Sequence, residues 1–197
     1  MTDEHEHHDH EHHDHEHHAI DYVEAVLEFR AEKDDFFKLA PGSPIPADDR
    51  DAFEGLPYYP VDPELRFEDR RLEPYAGDEP SDFQIPTSDG RLRPAHRAGT
   101  LAFELDGAPL RLTAYTFDGA DDEAVFVPFL DGTSGTETYG AGRYLDIDRE
   151  EDGTYSLDFN LAYHPSCVYD PRYSCPLTPA ENRLPVRIEA GERLPLG

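Results

Sequence analysis

Two aspartate–glycine turns set between runs of alternating hydrophobicity constrain this chain most. Leu101, Phe103 and Leu105 alternate with polar or small residues up to Asp106-Gly107, and Leu110, Leu112 and Ala114 continue the alternation beyond it. A period of two around Asp-Gly predicts a β-hairpin. Residues 142–148 and 154–160 flank Asp152-Gly153 in the same way and predict a second hairpin. Residues 124–130 form a more continuous apolar run, expected to be a buried strand, and 66–72, 83–87 and 184–188 are weaker strand candidates. Short strands at this spacing predict a mainly β protein, an antiparallel β-barrel or sandwich.

One helix is expected, over residues 19–39. Ile20, Val23, Val26, Leu27 and Phe37 form a broad apolar stripe with Glu24, Glu28 and Glu32 outside it, and Pro41, Gly42, Pro44 and Pro46 end it. The proline-rich stretches 41–63 and 165–185 cannot feed a strand ladder and are expected as long ordered loops over the sheet. Residues 19–197 therefore read as a single β-rich domain. Residues 1–18 contain nothing to build a core and are expected to be a disordered tail. In that tail His5, His7, His8, His10, His12, His13, His15, His17 and His18 alternate with carboxylates. Imidazoles and carboxylates together suit loose, exchangeable binding of Zn, Ni or Cu; the competing reading is a solvated acidic tail. No other cofactor is implied.

The formal net charge is -27, from 44 acidic and 17 basic residues, and lysine occurs only at Lys33 and Lys38. Such a surface repels phosphate backbones and anionic lipid, which argues against nucleic-acid and membrane partners. No apolar run approaches the roughly 20 residues of a spanning helix, and the charged N-terminus has no signal-peptide core. A folded core under an acidic, lysine-poor skin predicts the cytoplasm of a halophilic archaeon, where molar salt shortens the Debye length to about 3 Å.

Reactive side chains concentrate in residues 126–144 and 160–183. The first block holds Asp131, Thr133, Ser134, Tyr139, Arg143 and Tyr144 around several glycines. It is not a phosphate-binding P-loop, because no Gly-Lys-Ser/Thr follows, and not a nucleophile elbow, because Thr136 stands where glycine is needed. The second block holds Asn160, Tyr163, His164, Tyr169, Asn182 and Arg183. Its cysteines, Cys167 and Cys175, admit reduced structural thiols, a local disulfide, a zinc site with His164, or a catalytic thiolate at Cys167. Asp131 and Glu181 are the candidate general bases. His96, between Pro94 and Arg97, is expected on an exposed loop.

The strings GLPYYPVDPELRF, TSDG, VFVPFLDGTSGTETYGAGRYLDI and LDFNLAYHPSCVYDPRYSCPLTPAENRLPVRI resemble the DUF1684 family of bacterial and archaeal proteins of unknown function, over about residues 22–193. The family pattern usually has asparagine where His164 stands, which weakens the zinc reading. The resemblance implies no activity. The expectation is a pocket where loops 131–144 and 163–183 meet. Arg143 and Arg183 would hold a small anionic molecule, Asp131, Thr133, Ser134, Asn160 and Asn182 would orient it, and Tyr139, Tyr144, Tyr163 and Tyr169 would form the walls. The alternatives are a hydrolase or group-transfer enzyme, and a metal-handling protein loaded through the tail.

If the acidic skin is an adaptation to salt, the protein unfolds on dialysis into low salt and regains its circular dichroism spectrum in molar KCl. Indifference to salt would remove that reading.

Overall fold

Alternation in the sequence becomes a ladder of antiparallel strands in the computed structural model, which describes residues 10–119 and 124–195, with side chains from Asp21 onward. The strands are β1 (Arg66–Arg70), β2 (Leu72–Glu73), β3 (Asp82–Pro86), β4 (Leu92–Leu105), β5 (Ala108–Thr116), β6 (Ala124–Phe129), β7 (Arg143–Asp148) and β8 (Tyr155–Asp158). The larger sheet runs β2-β4-β5-β6-β7, with β3 on the same edge of β4 as β2, and β1 pairs with β8 in a second antiparallel sheet. Among the described residues the sheets do not close into a barrel.

The first expected hairpin forms, but the second does not: β7 and β8 belong to different sheets, and the arms beside Asp152-Gly153 share only an isolated bridge between Arg149 and Tyr155. Asp106 and Gly107 both have positive φ (52° and 75°), as a primed turn between β4 and β5 requires. β4 is long enough to pair with β3 and β2 along one edge and β5 along the other, and its register with β5 shifts between Arg97 and Gly99. A Cβ on Gly99 would lie 2.5 Å from the Glu73 carbonyl oxygen, so only glycine lets β2 press this close. Residues 184–188 do not extend as a strand; Leu130 and Arg183 share only an isolated bridge.

The two sheets share one apolar core. Phe159, fully buried in the 3-10 turn after β8, stands at its centre, with ring centroids of Phe103 and Phe129 at 5.5 and 5.2 Å. Aromatic pairs at such separations add about 0.5–1.5 kcal/mol each beyond area burial. A smaller cluster of Phe37, Ile45 and Leu56 fastens the helix end to the first proline-rich loop.

Helix α1 (His10–Leu39) starts at His10 rather than at residue 19, so its backbone enters the stretch expected to be disordered. Residues 1–9, and the side chains of His10, His12, His13, His15, His17 and His18, lie outside what is described, and with them the tail's metal-binding expectation. The inward face of α1 departs from the expected stripe. Tyr22, Val26, Arg30, Lys33 and Phe37 face the domain, while Leu27 is 51% exposed. Polar groups win these positions because each finds a buried partner. Arg30 donates to the carbonyls of Tyr59 (2.9 Å) and Asn160 (3.2 Å), and the Tyr22 hydroxyl donates to Asp158 (2.8 Å).

β5 and β6 diverge after their one registered pair, Tyr115 with Phe126. Asn182 fills the opening. Its Oδ1 accepts from Thr113 N (2.8 Å) and its Nδ2 donates to the carbonyls of Thr113 and Pro128 (both 2.7 Å), so a side-chain amide replaces missing ladder bonds. Asn182→Ala strands three buried backbone groups and is expected to lower unfolding free energy by about 2–3 kcal/mol, read from urea midpoints at fixed salt.

Candidate functional site

Loops 131–144 and 163–183 do meet. Tyr144 and Tyr163 exchange backbone hydrogen bonds (2.9 and 3.0 Å), Thr178 Oγ1 donates to the Ala141 carbonyl (2.8 Å), and the Tyr144 hydroxyl donates to the Pro176 carbonyl. Gly142 makes the approach possible: with φ at 105°, a Cβ there would lie 2.4 Å from Thr178 Oγ1 and 2.5 Å from the Phe129 carbonyl oxygen.

The polar residues gathered at this junction mostly hold the chain together. Arg143 is fully buried. It donates to the backbone carbonyls of Ile188 (2.8 Å), Glu192 (3.2 Å) and Ala190, and lies 3.6 Å from Asp131. Burial draws its pKa below the usual arginine value, against the pull of Asp131, Tyr59 and Glu192. Asp131 accepts from Ile188 N (2.7 Å), Thr133 Oγ1 (2.8 Å) and Ser134 Oγ (3.1 Å). Arg183 is exposed, so the two arginines expected to clamp an anion do not line a common pocket. Asn160 closes on the backbone of Asp62, accepting from its N–H (2.8 Å) and donating to its carbonyl (2.7 Å). It is a structural clamp, as Asn182 is.

The candidate bases are similarly occupied. Glu181 accepts from Arg97 Nε and the Tyr115 hydroxyl, both at 2.9 Å. Burial pushes its pKa up, but hydrogen bonds from its own backbone N–H, Tyr115 and Arg97 outweigh burial and hold it below the ordinary glutamate value. Cys167 and Cys175 are unbonded; the Cys167 N–H points at Cys175 Sγ (3.3 Å). Burial pushes the Cys175 thiol up to about 11. Both ring nitrogens of His164 have other neighbours: its Nε2 accepts from Tyr139 N (3.2 Å), and its Nδ1 lies 3.7 Å from Glu192. Among the described residues no group of three or more His, Cys, Asp or Glu side chains could hold a metal ion. His96 is exposed as expected, but on β4 rather than on a loop, and contacts Asp82 at 2.7 Å.

The open space lies beside this junction, between α1 and β7. A cleft of about 790 Å³ has Phe29 and Phe36 of α1 on one wall and Leu161, Tyr163 and Tyr173 on the other. Phe29, Phe36 and Tyr173 are 44, 48 and 39% exposed, much for rings this large. Glu32, Asp146 and Asp148 lie along the cleft, and none forms an ion pair among the described residues. Asp146 accepts from the Tyr163 hydroxyl (2.5 Å).

At the cleft floor half-buried Lys33, which lines the cleft, pairs with buried Glu192 beneath it. Lys33 Nζ sits 2.6 Å from Glu192 Oε1 and 4.7 Å from the centre of the Tyr163 ring. Glu192 Oε2 accepts from His164 N (2.7 Å) and the Tyr169 hydroxyl (2.9 Å). Burial, then the charges of Arg143 and Lys33, pull His164 from 6.5 down to about 3. Its ring is therefore neutral. With Nε2 accepting, the proton is assigned to Nδ1, facing Glu192. Lys33, Glu192, Phe29, Phe36 and Tyr173 were not singled out from the sequence. The available signals were lysine scarcity at Lys33 and two phenylalanines seven positions apart, off the expected stripe. Glu192 carries no local signal.

A family model described as a protein of unknown function, DUF1684, matches residues 51–193. The chain belongs to the DUF1684 family. This DUF1684 chain is also similar to an uncharacterized protein from gene locus rrnAC0354 of Haloarcula marismortui, solved in solution by NMR. The two are 37% identical, the match covers 90% of this chain and 97% of the other, and the TM-score is 0.66. No curated protein matches the chain. Among the described residues of this DUF1684 domain no helix is long and apolar enough to cross a membrane.

Because His164 is neutral in the fold but titrates near 6.5 when unfolded, its contribution to stability is complete above that pH. It is lost as pH falls from 6.5 toward 3. His164→Asn keeps an acceptor for Tyr139 and removes the titration. Between pH 7.5 and 5.5 the variant is expected to lose about 1.4 kcal/mol less than the parent, by urea unfolding in one salt.

Proposed function

We propose that this DUF1684 domain binds a small amphipathic molecule in the cleft between α1 and β7. The observation that carries the reading is a cleft of about 790 Å³ whose walls expose Phe29, Phe36 and Tyr173 to solvent. Ligand sites have this size and this mostly apolar lining, and large exposed rings in one concave patch are uncommon unless something covers them.

The chemistry of the lining favours a ligand different from the anion expected at first. An anion would meet Glu32, Asp146 and Asp148, while the nearest cation, Lys33, is already neutralised by Glu192. An apolar body with an uncharged or cationic polar end suits the cleft better. The enzymatic alternative has less support, since Glu181 is held ionised by Arg97 and Asp131 is saturated with donors. The strongly acidic composition, and the likeness to a protein of Haloarcula marismortui, support the cytoplasm of a halophilic archaeon as the setting.

Titration with a neutral solvatochromic dye such as Nile red in molar KCl tests the site, with decyltrimethylammonium and decyl sulfate as competitors. The cation is expected to displace the dye at lower concentration than the sulfate. Phe36→Ser is expected to weaken dye binding about tenfold, in line with the burial energy of one large side chain. Leu39→Ser, 72% exposed and outside the cleft, should leave it unchanged. Equal binding by parent and Phe36→Ser would overturn the assignment.

A further inference from the structure

The thiols Cys167 and Cys175 take no part in the cleft chemistry above, yet they face each other across one turn. The Cys167 N–H donates to Cys175 Sγ at 3.3 Å, and the sulfur of Cys167 is attached one carbon beyond the Cα of that same residue. A hydrogen bond between the two thiols also acts on Cys175, and a bonded pair requires the sulfurs to close to about 2.05 Å. Both ends of the segment are fastened. Cys175 N donates to Ser88 Oγ (3.0 Å) and its carbonyl accepts from Ser88 N (2.8 Å), so it is tied to the turn between β3 and β4. Cys167 lies in the 3-10 turn Ser166–Val168, where Asp170 N donates to the Ser166 carbonyl (3.1 Å). Between the anchors, the chain carries Tyr169, whose hydroxyl holds Glu192 under the cleft, and Tyr173, which forms part of its wall.

We infer that Cys167 and Cys175 are a reversible dithiol–disulfide pair whose closure pins the segment bearing Tyr169 and Tyr173. The chemistry needs an external disulfide as oxidant. The Cys167 thiolate, the more exposed of the two, attacks one sulfur of that disulfide, and the other half leaves as a thiol after taking a proton. The Cys175 thiolate then attacks Cys167 Sγ and expels the second half. The protein loses two protons and two electrons, and one small-molecule disulfide becomes two thiols. Burial raises the Cys175 thiol to about 11, so the second step accelerates with rising pH. The thiol chemistry stands independently of the cleft; the effect on the cleft wall rests on the binding proposal.

The test is incubation of the full chain with oxidised glutathione in molar KCl, followed by alkylation, intact mass and tryptic mapping under non-reducing conditions. Arg172 lies between the cysteines with 80% of its side chain exposed. The expected product is a monomer lighter by two hydrogens, closed to alkylation, with the peptides ending at Arg172 and Arg183 joined. Dithiothreitol should reverse it, and Cys175→Ser should instead keep a glutathione adduct on Cys167. Two thiols still open to alkylation after oxidation, or a disulfide formed only between separate molecules, would overturn the pair. If the disulfide forms but Nile red titrations of the two redox states coincide, the pair survives and control of the cleft is overturned.

Discussion

The buried contact between Asp131 and Arg143 is the constraint on which the rest of the structure leans. Neither side chain is accessible to water, and they reach the C-terminal segment from both sides: Asp131 takes the Ile188 N–H, and Arg143 takes the carbonyls of Ile188, Ala190 and Glu192. Enclosing two charges carries a desolvation penalty of several kcal/mol per ion, which is offset only where hydrogen bonds satisfy them. Here the donors and acceptors come from a chain segment that makes no regular strand. The pair therefore gives residues 188–192 a defined path that periodicity could not.

That path places Glu192. Once the C-terminal segment is fixed under α1, its carboxylate meets Lys33, the Tyr169 hydroxyl and the His164 N–H. The helix, the second proline-rich loop and the C-terminus are thereby joined at one buried point. The helix can then keep Phe29 and Phe36 out of the core, because its attachment comes from Tyr22, Arg30, Lys33 and Phe37. The cleft results from an anchoring face that is largely polar and a flanking face that is aromatic.

The strands were legible because β-structure leaves a local record. Alternation around Asp106-Gly107 and Asp152-Gly153 depends on neighbours two positions apart and on residues that tolerate positive φ. The convergence of loops 131–144 and 163–183 was legible too, since both are dense in polar groups, the first with glycine and the second with proline. Their use was not. Arg143, Asn160 and Asn182 look like ligand-holding residues in sequence, but the same amide and guanidinium groups also serve backbone donors and acceptors left over where strands diverge.

The sequence by itself determined the acidic composition, the β4–β5 hairpin and the N-terminal helix, and its strings carried the resemblance to the family, because each is written in residues near one another or in their totals. Only the tertiary structure decided which face of the helix turns inward, which charges are buried, and where a cleft opens. Those outcomes depend on partners as far apart as Lys33 and Glu192, and a side chain's role follows from whether such a partner arrives to satisfy it.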